Sequence, residues 1–259
     1  MDKFGNVYIA DLTFGGSQGT IFGNRVRKVD AITGYITTVA GDGTYNVDQV
    51  HGSYSEDKGY GFFGNFPSNG DGGNASSAKL YNPVGLDVDS NGNIYIVEKD
   101  DVRVVWAATG KIDTIAGSKP SLIADGFPPY RWSYPVSGSK TLYQPRDVTV
   151  DKNGNLYIVD SGHKRILKQD AAGNVSVVAD NLISPLGVTV DAAGNVYIVD
   201  SGNNTIPGKI LKVSTAGKIT TLLDKIRVSD LLVDPLTGDF YYSGNSGLGR
   251  ISLHTITVK

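Results

Sequence analysis

The chain has no cysteine, one methionine, two tryptophans and three histidines in 259 residues. Without cysteine there is neither a disulfide framework nor a thiolate metal site, which leaves every compartment open. No apolar run approaches the length of a membrane span, and the N-terminus lacks a signal-peptide apolar region. The expectation is an export signal already removed, or a protein never exported. A basic excess is missing too: 24 Lys and Arg stand against 26 Asp and Glu, with a pI near 5.9. A chain built to hold a polyanion usually carries such an excess, so nucleic acid is not an expected partner. Helical periodicity is also lacking, since no 3.6-residue apolar pattern persists beyond a turn or two.

Glycine is abundant, at 33 residues, and one ten-residue phrase recurs. It reads "DKFGNVYIAD" at Asp2–Asp11, "DSNGNIYIVE" at Asp89–Glu98, "DKNGNLYIVD" at Asp151–Asp160 and "DAAGNVYIVD" at Asp191–Asp200, with a worn copy, "DPLTGDFYYS", at Asp234–Ser243. Around each copy the pattern predicts four short strands. From Leu186 to Leu223, "LGVTVD", "VYIVD", "GKILKVS" and "ITTLL" alternate as strands, joined by glycine turns. Four antiparallel strands in about forty residues is the period of a propeller blade. The expected fold is therefore all-β, a single β-propeller domain over residues 1–259. Five blades are counted, and a six-bladed parent that has lost one is the alternative. Unit one reads from its second strand, and the C-terminal "TITVK" is either the outer strand of blade five or a clasp on blade one.

Two phrases, "NRVRKVDAITGYITTVAGDGT" and "NGDGGNASSAKLYNPVGLDVDSNGNIYIVE", carry a family likeness. They resemble the NHL-repeat propellers of bacterial multi-repeat proteins and the related propeller of teneurins. The likeness covers nearly the whole chain and implies the fold. It leaves function open, because NHL-type propellers include protein binders, RNA binders and lyases. An NHL-type lyase would bring several histidines to a central metal, and His51, His163 and His254 are too scattered to supply that set. No nucleophile elbow, HExxH pair, phosphate-cradling loop or EF-hand register is present.

Residues that recur in every copy are read as blade builders. The acids Asp11, Glu98, Asp160 and Asp200 end the second strand, and the bases Arg25, Arg103, Arg165, Lys209 and Arg250 open the third. As exposed pairs they are expected to contribute about 0–1 kcal/mol each. Departures are more informative. Inner strands begin with Gly85 and Gly187 in two copies but with Asp147 and Asp230 in two others. Those carboxylates, with Arg146 beside them, would face the channel and are the candidate ligands for Ca²⁺, against a plain role at strand starts.

Loops joining strands one to two and three to four are short everywhere. Every large insertion falls on the opposite face, at 12–23, 42–82 and 117–145. These hold 14 of the chain's aromatics, including Tyr60, Phe62, Tyr130, Trp132 and Tyr134. Insertions gathered on one face of a repeat protein mark a binding face, and Tyr and Trp supply contact area with few torsions to freeze. The expected function is a non-enzymatic module that binds a protein or glycan through Tyr130, Trp132, Tyr134, Tyr60, Phe62 and Arg146. The rivals are a lyase or hydrolase with Ca²⁺ in the channel and, less favoured, an RNA-binding domain. An extracellular or cell-surface location is expected on the resemblance.

Overall fold

The computed structural model describes residues 1–14, 21–44, 70–98, 101–117, 142–226, 228, 230–233, 239–244 and 247–251. Blade one comprises β1 (Val7–Phe14), β2 (Ile21–Val29) and β3 (Ile36–Ala40). Blade two comprises β4 (Gly85–Val88), β5 (Ile94–Glu98), β6 (Asp101–Val105) and β7 (Ile112–Gly117). In blade three β8 (Val148–Val150), β9 (Leu156–Asp160), β10 (Arg165–Gln169) and β11 (Val175–Ala179) follow the same order. Blade four has β12 (Pro185–Val190), β13 (Val196–Asp200), β14 (Gly208–Val213) and β15 (Ile219–Ile226). Blade five contributes β16 (Asp230–Val233), β17 (Phe240–Gly244) and β18 (Gly247–Ile251). Each sheet is antiparallel with neighbours in chain order, and the inner strands β4, β8, β12 and β16 lie side by side. This is the all-β propeller that the repeats predict. Among the described residues the helical segments are two single 3₁₀ turns, Ala75–Ser77 and Ser161–His163, and no helix is long and apolar enough to cross a membrane.

The recurring phrase owes its form to one carboxylate. Asp89 Oδ1 accepts the backbone N–H of Asn91 and of Asn93, each at 2.9 Å. Its Oδ2 accepts the Asn93 side-chain amide at 2.7 Å and the Tyr95 hydroxyl at 3.2 Å. Asp2, Asp151 and Asp191 make the same four bonds, the last receiving the Tyr197 hydroxyl at 2.9 Å. The turn glycine takes positive φ in each copy, for example +77° at Gly154, which explains its place before the asparagine.

Each tyrosine ring then reaches forward between blades. Tyr95 and Val97 pack on Val148, Leu156 and Ile158 of blade three. Tyr157 and Val159 pack on Val188, Val196 and Ile198 of blade four, and Tyr197 and Val199 on Leu231, Val233 and Phe240 of blade five. The core is thus a series of apolar seams between successive blades.

Two insertions differ from the loops expected. The two ends of 12–23 continue the first hairpin, with Leu12 opposite Gly23 and Phe14 opposite Ile21. The far end of 42–82 is core: Ala75, Ala78 and Leu80 are buried in the seam between blades one and two. Arg103 and Arg250 are also out of register with the other bases, standing opposite Ile96 and Tyr241, whereas Arg25, Arg165 and Lys209 stand opposite the strand-ending acids.

Three of the four acids, Glu98, Asp160 and Asp200, are buried rather than exposed, and each accepts hydrogen bonds from the linker entering its blade. Glu98 accepts the Tyr81 N–H at 2.6 Å, Asp160 the Tyr143 N–H at 2.8 Å, and Asp200 the N–H groups of Ile183 and Ser184. Arg165 Nε donates to Asp160 at 2.7 Å. Arg103 occupies the place of Leu167 and Leu211, fully buried, and donates to Glu98 at 3.3 Å, to Asp71 at 2.9 Å and to the Lys79 carbonyl at 3.1 Å. Removing one partner from a buried pair of this kind costs about 3–5 kcal/mol, well above the surface-pair value.

Gly85 shows how closely the blades approach. A Cβ there would lie 2.6 Å from the Arg146 carbonyl oxygen and 2.9 Å from Asp147 Cα, both backbone atoms of the next blade. Gly85→Ala should therefore destabilise by about 2–3 kcal/mol, the upper part of the overpacking range. At Gly217, where φ is +78° and nothing lies within 4 Å, alanine meets only backbone strain of about 1 kcal/mol. Urea unfolding of the two variants checks the ranking, and equal losses would contradict the close blade contact.

Candidate functional site

The inner strands bring three aspartates to the centre of the ring. Asp147 Oδ1 accepts the N–H of Val148 at 2.9 Å, and its Oδ2 accepts the N–H of Val188 in blade four at 3.0 Å. Asp87 makes the corresponding bridge from blade two to blade three. Its Oδ2 accepts the Thr149 hydroxyl and the Val150 N–H, each at 2.9 Å. Asp230 Oδ1 accepts the Leu231 N–H at 2.7 Å. Asp87 was not singled out from the sequence, although it stands where blades three and four have Thr149 and Thr189. That departure was the available signal.

The centre disfavours ionisation. Burial raises Asp147 to about 8, the negative charges of Asp230 and Asp87 add to this, and the N–H bonds from Val188 and Val148 act the other way. Asp147 keeps some contact with solvent, while protein closes around the rest of it. Asp87 is raised for the same leading reason, burial, against its hydrogen bonds from Val150, Val88 and Thr149. Asp230 is raised too, by burial against the Leu231 N–H, but it is exposed, so water screens much of the effect. The centre therefore favours the protonated form of Asp147.

Among the described residues no group of three or more His, Cys, Asp or Glu side chains is arranged to hold a metal ion. Asp147 and Asp230 could supply two of the roughly six to eight oxygens that Ca²⁺ takes, with carbonyls or water supplying the others. Arg146 is exposed beside them. His163 is held by Asp160, Nδ1 to Oδ2 at 2.8 Å, and lies against the Tyr143 ring at a centroid distance of 5.8 Å.

The remaining candidates, Tyr60, Phe62, Tyr130, Trp132 and Tyr134, lie outside the described residues. The strands around them fix where their segments attach. β3 ends at Ala40 and β4 begins at Gly85, while β7 ends at Gly117 and β8 begins at Val148. Both connections leave an outer strand and enter an inner one, so both start and finish on the same face of the ring. The opposite face carries only short turns of five or six residues in blades two to four, the Asp turns among them.

Comparison with known proteins agrees with this architecture. The model of the teneurin NHL domain matches residues 63–126, and that of the NHL repeat matches residues 142–168 and 182–206. These matches support an NHL-repeat β-propeller family for the chain. A probable peptidyl-α-hydroxyglycine α-amidating lyase of Caenorhabditis elegans is 31% identical over 99 residues, which are 37% of this chain and 25% of that protein. The chain thus spans about a quarter of that curated relative. Among solved structures, a chain of a nidogen/laminin complex superposes with a TM-score of 0.61 at 14% identity, over 96% of this chain and 74% of its own. The virginiamycin B lyase from Staphylococcus aureus gives 0.51 at 17% identity, over 92% and 64%. At such identities the superpositions speak for the fold alone.

The raised Asp147 makes stability depend on pH. An ordinary carboxyl titrates near 4, whereas folded Asp147 keeps its proton to about 8. The folded state binds the extra proton, so its stability falls as pH rises from about 4 to about 8 and levels off above. Asp147→Asn removes this dependence. Relative to the parent, the variant should gain at least about 1 kcal/mol between pH 5 and pH 9, or about 2–4 °C in Tm. Melting series across that range check it, and parallel curves would place Asp147 in an ordinary aqueous setting.

Proposed function

We propose that this propeller is a non-enzymatic binding module that takes a protein partner on the face carrying its long connections. The observation that carries the reading is topological: residues 41–84 and 118–147 both join an outer strand to the next inner strand, and so open on one face. The sequence fills those connections with aromatics, among them Tyr60, Phe62, Tyr130, Trp132 and Tyr134. Such side chains anchor interfaces because they combine large apolar area with a polar edge. The propeller of the nidogen/laminin complex supports a protein partner over a glycan by analogy of fold. The even charge balance disfavours RNA.

The test is a comparison of faces at equal stability. Tyr130→Ala and Trp132→Ala should each weaken capture of the partner by about thirtyfold, equivalent to about 2 kcal/mol. Lys152→Ala, in an Asp turn of the opposite face, should leave it unchanged. Binding measured by surface plasmon resonance against an extracellular-matrix protein panel and a glycan array decides the partner class. Losses confined to the Asp-turn side would reverse the assignment.

An enzyme with a cation in the channel is the second reading. It is favoured by the electrostatic coupling of Asp147 to Asp230 and by the lyases among the similar proteins. On that reading added Ca²⁺ raises Tm by mass action on the folded state, and Asp147→Asn with Asp230→Asn abolishes the rise. An unchanged Tm in the parent protein returns both aspartates to a plain role at strand starts.

A further inference from the structure

Blade two departs from its siblings in where it keeps its base. In blades three and four the acid that ends the second strand stands opposite a base, Asp160 opposite Arg165 and Asp200 opposite Lys209. In blade two Glu98 stands opposite a second acid, Asp101, and the base has moved to Arg103, opposite Ile96. Arg103 is fully buried there, and beyond its own sheet it reaches the carboxylate of Asp71.

Asp71 belongs to the segment 70–82, the end of the long connection before blade two. This segment bridges the outer strands of blades one and two. The N–H groups of Gly72 and Ala75 donate to the carbonyls of Ile112 and Gly110 at 2.8 and 2.9 Å. The carbonyls of Ala75 and Ala78 accept the N–H groups of Gly41 and Asp42 at 2.9 and 2.8 Å. Side chains of blade two fasten it further. Arg103 Nη2 donates to Asp71 Oδ1 at 2.9 Å, its Nη1 donates to the Lys79 carbonyl at 3.1 Å, and the Thr114 hydroxyl donates to Asp71 Oδ1 at 3.2 Å. Glu98 Oε2 accepts the Tyr81 N–H at 2.6 Å, and its Oε1 accepts Arg103 Nη1 at 3.3 Å.

We propose that Asp71, Arg103 and Glu98 form a proton-operated latch, which holds segment 70–82 against blades one and two more firmly in mildly acidic than in alkaline medium. The charge count supplies the reason. Among the described residues this corner holds three carboxylates, Asp71, Glu98 and Asp101, to one buried guanidinium. Asp42 adds a further charge on the Tyr81 side, where Arg25 donates to the Asp42 carbonyl at 3.0 Å. With every acid ionised, negative charge is left uncompensated where water is largely excluded, and one proton relieves it. Asp71 keeps 30% of its side chain in solvent, whereas Glu98 is 3% exposed, so the proton belongs on Glu98.

Burial above all pushes Glu98 up to about 7; Asp101 acts with it, and the Arg103 charge and the Tyr81 N–H act against it. Lifting the segment opens Glu98 to water, where its ordinary value is about 4.5. The closed segment therefore binds the proton more tightly than the open one. Closure is favoured fully below about pH 4.5, and that advantage is lost as pH rises through about 7. The shift of the base by two residues, from the place of Arg165 to that of Leu167, thus converts a plain strand pairing into a titratable hold on a linker.

Amide hydrogen exchange of the whole protein between pH 5 and pH 8, expressed as protection relative to the unstructured chain at each pH, tests the latch. The amides of Gly72, Ala75 and Tyr81 report the segment. Those of Ile198 and Val199 in β13 report the stability of the whole fold, including the contribution of Asp147. Protection of the first set should fall with rising pH by at least about tenfold more than that of the second. Glu98→Gln, which cannot ionise, should keep its pH 5 protection at pH 8 and remove the excess. Asp71→Asn, the second variant should Glu98→Gln fold poorly, weakens the tie to Arg103 but leaves Glu98 in place. It should lower the protection of Gly72 and Ala75 at every pH while the fall with pH persists. Equal falls in both sets, a fall in Glu98→Gln as steep as in the parent, or unchanged protection in Asp71→Asn would each overturn the proposal.

Discussion

The structure depends on one carboxylate repeated around the ring. In the turn Asp-x-x-Gly-Asn the aspartate satisfies two backbone N–H groups, a side-chain amide and a tyrosine hydroxyl two residues beyond the asparagine. The last bond matters most, because it ties a local turn to a long-range contact. The same tyrosine ring is buried in the seam with the next blade, so turn geometry and blade packing are set together. Hydrogen bonding to the carboxylate also holds the ring in place electrostatically. After burial, the Asp89 charge and its hydrogen bond help push Tyr95 up to about 12, far from any physiological titration. A change at this aspartate would be felt in the seam as well as in the turn.

Toward the axis the problem is different, since the blades converge and little room is left. Gly85 lets the backbone of blade three approach directly, and Gly187 does the same for Asp230 in blade five. Asp147 and Asp87 use the little space that remains to tie each inner strand to the next through its N–H groups. The alternation of glycine and aspartate is thus steric in one blade and hydrogen-bonding in its neighbour. Gathering carboxyls in this way raises their proton affinity. A structural device and a chemically distinctive centre are then the same residues.

Much of the fold was legible because the repeat acts as its own control. Strand order, blade length and the Asp turn follow from comparing five copies. Other features escaped because they break the copy rule. Arg103 and Arg250 look like the base that opens the third strand, yet pairing register, which spacing along the chain does not encode, sets them elsewhere. Arg103 is buried because Asp71 and Glu98 can reach it from a linker and a strand end far apart in sequence. Likewise Ala75, Ala78 and Leu80 lie in what reads as a binding-face insertion, and only the seam between blades one and two makes them core. The candidate site divides in the same manner. Asp147 and Asp230 were visible as departures, and Asp87 was equally visible but masked by its likeness to a strand aspartate.

The asymmetry of the two faces follows from where hydrogen-bonding capacity is already committed. On the Asp-turn side the carboxylates, asparagines and turn glycines of blades two to four all build the blades, and φ near +80° at the glycines leaves little freedom to substitute. On the other side the strand-ending acids fix only the last residues of each incoming linker, at Tyr81, Tyr143 and Ile183. A linker anchored at its final residues can lengthen upstream without disturbing the blade that follows, and loop closure grows only slowly with length. The linkers before blades two and three are long, whereas the one before blade four, from Ala179 to Pro185, is short. The same anchoring chemistry therefore tolerates both, and the linker face is free to vary in length while the Asp-turn face holds the ring together.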